Sequence, residues 1–595
     1  MKILGISGFD TSAEFKRAQL PELDERELRI LQGQDSAAAL LVNGTVRAAA
    51  AEERFNGLKA TGLFPVAAIH EALRSADVKP QDLDLVAHGF AYRRPPASEG
   101  DGNDFRVRQF EQVYDPELQI RLLEEHFPGV DWAERFRPVP HHLAHAASAY
   151  YPSGATESLI LVADGMGENE SLTVAVGQGS DIEILHTIPI MHSLGTFYGA
   201  VTLYLGFDMM LDEYKVMGLA SFGDRTRYAK DFGDLVVRLP NGRFAIPLLA
   251  RNRGLVEQES LRGTLRVLTE RFGPAREPGT PIEQRHMDIA AAAQAELEAC
   301  LLHVLAHYQA ETGLRTLSFA GGVALNCTAN GAVSRSGLFD TVHIPPGAGD
   351  DGTAVGAAMY AAATSPQSPS VARSTMPYWG SSYTRAEIRS ALDERPDCEA
   401  TCYDDLADLA AETARALADG EVVAWFQGAM EFGPRALGHR SILADPREAG
   451  MRDRINMLIK QREDFRPFAP VVLHDAATRF FEIEPGTEDQ YAHMLIATAT
   501  RTEHRHHLGA VTHVDGSARV QALRPEHNPE LAAVITEFGR ITGVEVLLNT
   551  SFNLRGQPIV RDPATALETF VRGDLDRLVI GEFSVRRRTD EGVRR

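Results

Sequence analysis

A chain of 595 residues, 44% hydrophobic and 24% charged, is long enough for several domains and apolar enough for large cores. Its net charge of −22 argues against a broad nucleic-acid or acidic-membrane surface, yet leaves room for one small basic pocket that takes a phosphorylated metabolite. Four cysteines imply no disulfide framework; Cys398 and Cys402 read as structural, and a reducing cytoplasm is the expected location.

The opening "MKILGISGF" is an apolar strand, too short for a signal peptide. No uninterrupted apolar run is long enough to span a bilayer. A weak repeat follows. One copy reads "ILGISG", an interruption, then "QDSAAALLVNGTVRAAAAEERF"; the other reads "LILVADGMGENESLTVAVGQGSDIEILHTI". Each gives a strand, a Gly/Asp turn, a second strand, a Gly turn and a third strand, which is a β-meander. Helical patterns follow each copy, as in "PVAAIHEALRSA" and "MDIAAAAQAELEACLLHVLAHYQAETG". Two meander-plus-helix halves predict a duplicated α/β domain of the actin and sugar-kinase type over 1–365, which would bind a nucleotide between its halves. The interruption at about 10–33 ("EFKRAQLPELDERELRILQ") reads as an inserted loop or short helix. The Ser/Pro-rich stretch 366–378 reads as a linker, and a second α/β unit follows over 379–595.

"HHLAHAASAYY" puts His141 and His145 four apart, on one face of a helix, with His142 facing elsewhere. The HExxH pattern of a zinc protease fails because His142 holds the Glu position. Capping or core histidines are the competing reading. "LVADGMGE" ends a strand at Asp164, and "PPGAGDDGTAVGAA" puts Asp350 before a small-residue helix. Two His and two Asp make a mixed N/O donor set that suits iron, manganese or zinc. In "SFAGGVALNCTANG", Gly321 and Gly322 let backbone approach a nucleotide closely. With Gly165, Asn326, and Glu213 and Lys215 of "EYKVMGLASFG", they form the nucleotide-binding candidates; for the last two the alternative is a solvated charged pair.

The second unit concentrates arginine beside Gly, Ser and Asn. "FQGAMEFGPRALGHRSILADPR" holds Arg435 and Arg440, and "KQREDFRPFAPVVL" holds Lys460, Arg462 and Arg466. "THVDGSARVQ" adds Arg519 and "LLNTSFNLRGQPIV" adds Arg555. In an acidic protein such a set suggests a polyanion pocket, since guanidinium binds phosphate through two N–H groups at once.

Together "AAAEERF", "HHLAHAASA", "ADGMGE", "EYKVMGLA", "GGVALN", "GDDGTAVGAA", "EFGPRALGHRSILADPR", "FRPFAP" and "NTSFNLRGQPIV" resemble, nearly end to end, the O-carbamoyltransferases of antibiotic and nodulation-factor biosynthesis. The resemblance implies a YrdC-like C-terminal domain. There, carbamoyl phosphate is cleaved to carbamate, which attacks ATP (with Mg) to give carbamoyl-adenylate and pyrophosphate. It implies an N-terminal metal domain where the carbamoyl group passes to a hydroxyl of a small-molecule natural product, an antibiotic glycoside or polyketide, releasing AMP. The carried-over metal ligands are His141, His145, Asp164 and Asp350, with Fe(II) the family metal. Arg435, Lys460, Arg466, Arg519 and Arg555 would line the carbamoyl phosphate and ATP site, and Lys59 matches a lysine of the acyl-adenylate site. A monomer or homodimer without nucleic-acid or membrane partners is expected. One departure stands out. "QDSAAA" places Gln34 where the family usually carries histidine, a candidate general base. An amide cannot take that proton, though it can orient an acceptor hydroxyl.

Overall fold

The computed structural model describes residues 1–96, 101–366, 371–373, 376–460, 463 and 465–588, apart from the side chains of 101–103, 458 and 460. Two compact units result: Met1–Glu53 with Ala60–Thr375, and Met376–Arg595 together with the short segment Arg54–Lys59.

The first unit contains the duplication. Its first half holds β1 (Lys2–Ser7), β2 (Ala37–Val42), β3 (Thr45–Ala51), β4 (Leu85–His88) and β5 (Phe136–Pro138). Its second half holds β6 (Glu157–Ala163), β7 (Glu170–Gln178), β8 (Asp181–Pro189), a two-stranded ribbon of β9 (Val237–Arg238) and β10 (Phe244–Ala245), then β11 (Thr316–Ala320) and β12 (Thr341–His343). The sheets run β3-β2-β1-β4-β5 and β8-β7-β6-β11-β12. In both, the meander is antiparallel and the last two strands join parallel to the first. Asn43 and Gly44, both at positive φ, close the β2–β3 hairpin, a turn these two residues tolerate at little cost. Ile160, Leu161 and Val162 of β6 are fully buried, as a central strand covered on both faces requires.

The helices His141–Ser153 and Asp351–Ala363 pack backbone to backbone. A Cβ at Gly356 would lie 1.8 Å from the Ala144 carbonyl oxygen, so only glycine permits this approach. The helix Gln284–Thr312 is, by length and composition, apolar enough to cross a bilayer, although Asp288, Glu296 and Glu298 interrupt its apolar run; 67% of its most apolar stretch is buried inside the unit, with Cys300, Leu301 and Val304 inaccessible.

The interruption is a folded strap made of the helix Ser12–Gln19 and the 3-10 turn Glu27–Arg29. Phe9, Phe15, Leu20, Leu23 and Leu28 pack on Phe90, Phe105 and Val113 of the first half. Polar bonds tie the strap to the second half: Lys16 Nζ donates to the Glu259 carbonyl (2.8 Å), Arg26 Nε to Asp208 (3.1 Å), and Arg262 forks onto both Glu27 oxygens (2.6 and 2.7 Å).

The second unit is built on an eight-stranded mixed sheet. Its strands are β13 (Cys398–Cys402), β14 (Val423–Phe426), β15 (Arg440–Ala444), β16 (Ala469–Leu473), β19 (Gln521–Leu523), β20 (Val546–Ser551), β21 (Arg577–Ile580) and β22 (Phe583–Arg587); β17 (Ala497–Ala499) and β18 (Ser517–Arg519) form a separate ribbon. The helices Leu406–Ala418 and Pro529–Thr542 cover one face over Trp425, Leu547 and Val579.

Candidate metal centre and arginine-bearing sheet end

The ligand-bearing residues of the first unit follow strand ends. His141 starts the helix after β5, Asp164 directly follows β6, and Asp350 lies in the loop after β12. His141 Nε2 is 3.1 Å from His145 Nε2. Asp164 Oδ2 lies 3.3 Å and 3.9 Å from these two nitrogens, and Asp350 Oδ1 lies 3.6 Å and 3.5 Å from them. One ligand atom from each residue fits within 4.8 Å of all the others. Ligands bound at about 2.0–2.1 Å to one ion sit roughly 3.0–3.4 Å apart when adjacent, so the set fits a single first-row cation.

The outer contacts fit as well. His141 Nδ1 is 3.0 Å from the Gly89 carbonyl, which holds the ring so that Nε2 offers its lone pair. Asp164 Oδ1 accepts from the Gly322 N–H (2.9 Å), leaving Oδ2 for the cluster. Phe90 stacks on the His141 ring at 3.9 Å. Both histidines are fully buried. Burial opposes charge on His141, but Asp350 and Asp164 outweigh it and raise its proton affinity well above the ordinary value. Asp164, though also opposed by burial, is held well below the carboxylate range by His141 and His145. The pocket wants positive charge, from a proton or a metal ion. His142 points away, to Thr173 Oγ1 (2.7 Å), and burial pushes it down to about 3, so it stays neutral.

Two supports escaped the reading of the sequence. Glu168 accepts from the backbone N–H of Ala91 (2.7 Å) and of His141 (3.0 Å), capping the ligand helix. Gln32 donates to the Met166 and Gly167 carbonyls, both at 2.8 Å. Glu168 lay within the "ADGMGE" motif; Gln32 had no local signal. Gln34 itself donates to the Arg29 carbonyl (2.7 Å).

The nucleotide-binding candidates fall into two groups. Gly165, Gly321 and Gly322 border the metal cluster. Gly165 has open space at its Cα, whereas a Cβ at Gly321 would lie 2.3 Å from the Ala163 carbonyl oxygen. Asn326 is engaged in packing: it caps the following helix at Ala329 N–H (3.0 Å) and exchanges bonds with Gln294, which also accepts from Tyr198. Lys215 pairs with Asp212 (2.9 Å). Glu213 accepts from the Met210 N–H (2.8 Å), and burial pushes its carboxyl up to about 7, so the two are not a solvated pair.

In the second unit the sheet register gathers the arginines. β15 and β16 both run antiparallel to β20, and β19 runs parallel to β16. The starts of β15, β16 and β19 and the end of β20 therefore share one end of the sheet. Arg435 precedes β15, Arg466 precedes β16, Arg519 precedes β19 and Arg555 follows β20. The loop carrying Arg435 is fixed on both sides. Glu431 Oε1 accepts from the N–H groups of Leu437, His439 and Arg440 (2.8, 2.8 and 3.0 Å), while Gln521 and Asn549 donate to the Leu437 and Ala436 carbonyls. Arg466 lies 3.6 Å from Glu463. Arg440 does not belong to the anion set: it is fully buried, donates to the carbonyls of Gln427, Ser381 and Gly428, and lies 3.6 Å over the Phe426 ring. Lys59 is exposed in the segment that packs with this unit. The Lys460 side chain and Arg462 lie outside the described residues.

Comparison with known proteins converges on one family. Residues 114–359 match the carbamoyltransferase N-terminus and residues 414–587 the carbamoyltransferase C-terminus. The chain is 40% identical to nodulation protein NolNO of Sinorhizobium fredii, over 93% of this chain and 79% of that protein. It is 36% identical to the uncharacterized protein sll1178 of Synechocystis, over 92% and 94%. Among solved structures, component A of the Acidaminococcus fermentans (R)-2-hydroxyglutaryl-CoA dehydratase overlaps 61% of this chain and 100% of its own at 14% identity and a TM-score of 0.32. The family models over both units and the relatives aligned across nearly the whole length place this chain in the carbamoyltransferase family, as an enzyme that transfers a carbamoyl group.

Proposed function

We propose that this enzyme is an ATP-dependent O-carbamoyltransferase with two separate chemical sites, one per unit. The carrying observation is the division of donor types: an N2O2 ligand cluster in the first unit and a sheet end bearing Arg435, Arg466, Arg519 and Arg555 in the second. In the adenylate-forming domain (379–595), which we take as YrdC-like, these arginines with Lys460 and Lys59 offset the charge of carbamoyl phosphate and ATP. Hydrolysis of carbamoyl phosphate yields phosphate and carbamate. A carbamate oxygen attacks the α-phosphorus of ATP, the bond to the β-phosphate breaks, and pyrophosphate leaves.

In the transfer domain (1–365), the acceptor hydroxyl attacks the carbamoyl carbon and AMP leaves with the bridging oxygen. His141, His145, Asp164 and Asp350 would hold a divalent ion, iron on the family resemblance, which supplies Lewis acidity toward the carbonyl and charge neutralisation at the phosphate. Gly165, Gly321 and Gly322 let the adenylate approach the ligand cluster, and Glu213, Lys215 and Asn326 shape the nucleotide side. Gln34 orients the acceptor hydroxyl; because an amide does not accept its proton, the proton leaves with the departing AMP phosphate or passes to solvent. The acceptor is a hydroxyl of a small-molecule natural product, and the enzyme works in the cytoplasm as a monomer or homodimer.

Pyrophosphate release from ATP tests the reading. It is expected to require carbamoyl phosphate and to need no acceptor. Release that ignores carbamoyl phosphate, or no release at all, defeats the adenylate mechanism.

A further inference from the structure

We propose that Gln32 is a positioning residue of the metal centre, holding from outside the turn that delivers one of its ligands, Asp164, and one of its supports, Glu168. The inference rests on the reading of His141, His145, Asp164 and Asp350 as metal ligands. The turn 164–168 carries the Asp164 carboxylate at one end and Glu168 at the other. Glu168 grips the N–H groups of His141 and Ala91, and Ala91 lies two residues past Gly89, whose carbonyl orients the His141 ring. Between these ends stand Gly165 and Gly167, which give the turn little stiffness of its own.

The second half holds the base of the turn, through Ser193 Oγ on the Asp164 carbonyl (2.9 Å), Thr196 Oγ1 on the Gly165 carbonyl (3.1 Å) and the Gly167 N–H on the Glu170 carbonyl (2.8 Å), and Gln32 holds its tip from the other half. The Gln32 amide nitrogen directs both hydrogens at the turn, one to Met166 O and one to Gly167 O, each at 2.8 Å. Its amide oxygen accepts from the hydroxyls of Tyr92 and Tyr114, whose rings stack at 4.0 Å behind it. The orientation is unique: a flipped amide would set its oxygen against two carbonyls. Gln32 is itself anchored, because the strap leading to it is bonded to Asp208, Glu259 and Arg262. A motion of the turn would therefore break bonds to a fixed point.

The test uses the full chain, stripped of metal and titrated with Zn(II) in competition with a chromophoric chelator. Gln32→Glu keeps an oxygen for the two tyrosines but sets a second against the Met166 and Gly167 carbonyls. We expect zinc affinity to fall by about ten- to a hundredfold, the range typical of lost outer-sphere supports. The metal-free unfolding midpoint should shift by only a few degrees, and carbamoyl-phosphate-dependent pyrophosphate release should be unaffected. Gln32→Met, which removes both kinds of bond, should weaken zinc binding at least as much. Unchanged zinc affinity in both variants overturns the proposal, as does a loss of affinity that comes with equal loss of pyrophosphate release, which would mark general damage. A wild-type chain that binds no zinc, manganese or iron defeats the ligand assignment, and this inference with it.

Discussion

Arg435 lies in a glycine-rich loop and Arg440, five residues on, opens β15; in the proposed function only Arg435 meets the anion. Arg440 is a buried cation solvated by backbone carbonyls and the Phe426 ring; burial pushes its guanidinium down to about 10, still protonated at neutral pH. Arg440→Ala strands those carbonyls in the core, and denaturation in urea should show a loss of about 3 kcal/mol or more. Arg435→Ala should cost less than about 1 kcal/mol in the same measurement while removing pyrophosphate release. Glu213 makes a pH-dependent case. With its folded carboxyl raised to about 7, the native state keeps a proton that the unfolded chain has already released above its ordinary value near 4.5. Its contribution is complete at low pH and is lost as pH rises through 7. Glu213→Gln is therefore expected to gain about 1–2 kcal/mol on the wild type between pH 5 and pH 8, measured by urea denaturation at both. A gap that stays constant with pH would show that Glu213 titrates normally.

Among the elements, the packed pair of helices His141–Ser153 and Asp351–Ala363 sets the spacing of the cluster. His145 neighbours Ala144, whose carbonyl presses on Gly356, and Asp350 immediately precedes the second helix. Gly356→Ala forces the pair apart. We expect a loss of about 2–3 kcal/mol from overpacking, with zinc affinity falling in parallel because His145 retreats from Asp350; stability loss with intact affinity would separate the two effects. Much of this was legible in advance. The i, i+4 histidines, the Asp-Gly turns and the small-residue helix are local patterns, and local patterns survive in a linear string. Gln32 was not legible, because its partners lie 134 and 135 positions away and a glutamine before a glycine carries no periodic signal. Arg440 shared the composition of its neighbours, and its packing role shows only in its burial, its bonds to backbone carbonyls and its place over Phe426.

For the whole molecule, a net charge of −22 means that polyanions are admitted only where arginine is locally dense. ATP and carbamoyl phosphate are small enough for one sheet end. A tRNA is not, and in a mobility-shift experiment at physiological salt no retarded species is expected; a stable complex would favour a tRNA-modifying carbamoyl-adenylate enzyme over a small-molecule one. The two halves of the first unit were visible as a weak repeat, since strand, turn and strand recur in order. The strap's bonds to the second half were not, because ion pairs such as Arg262 with Glu27 span distant parts of the chain.

The matched strand orders give the strap a counterpart in the other half. The β1–β2 connection and the β6–β7 connection occupy equivalent positions in the two copies. In one copy that connection is a six-residue turn that begins with Asp164 of the candidate cluster; in its twin it is a folded segment that contributes no residue to that cluster. A duplicated ancestor can divide labour this way. Coordination geometry freezes the length of one connection, while its twin is released to lengthen and diversify. Here the long connection reaches the short one through Gln32, so the two copies meet at the pair of loops where they differ most.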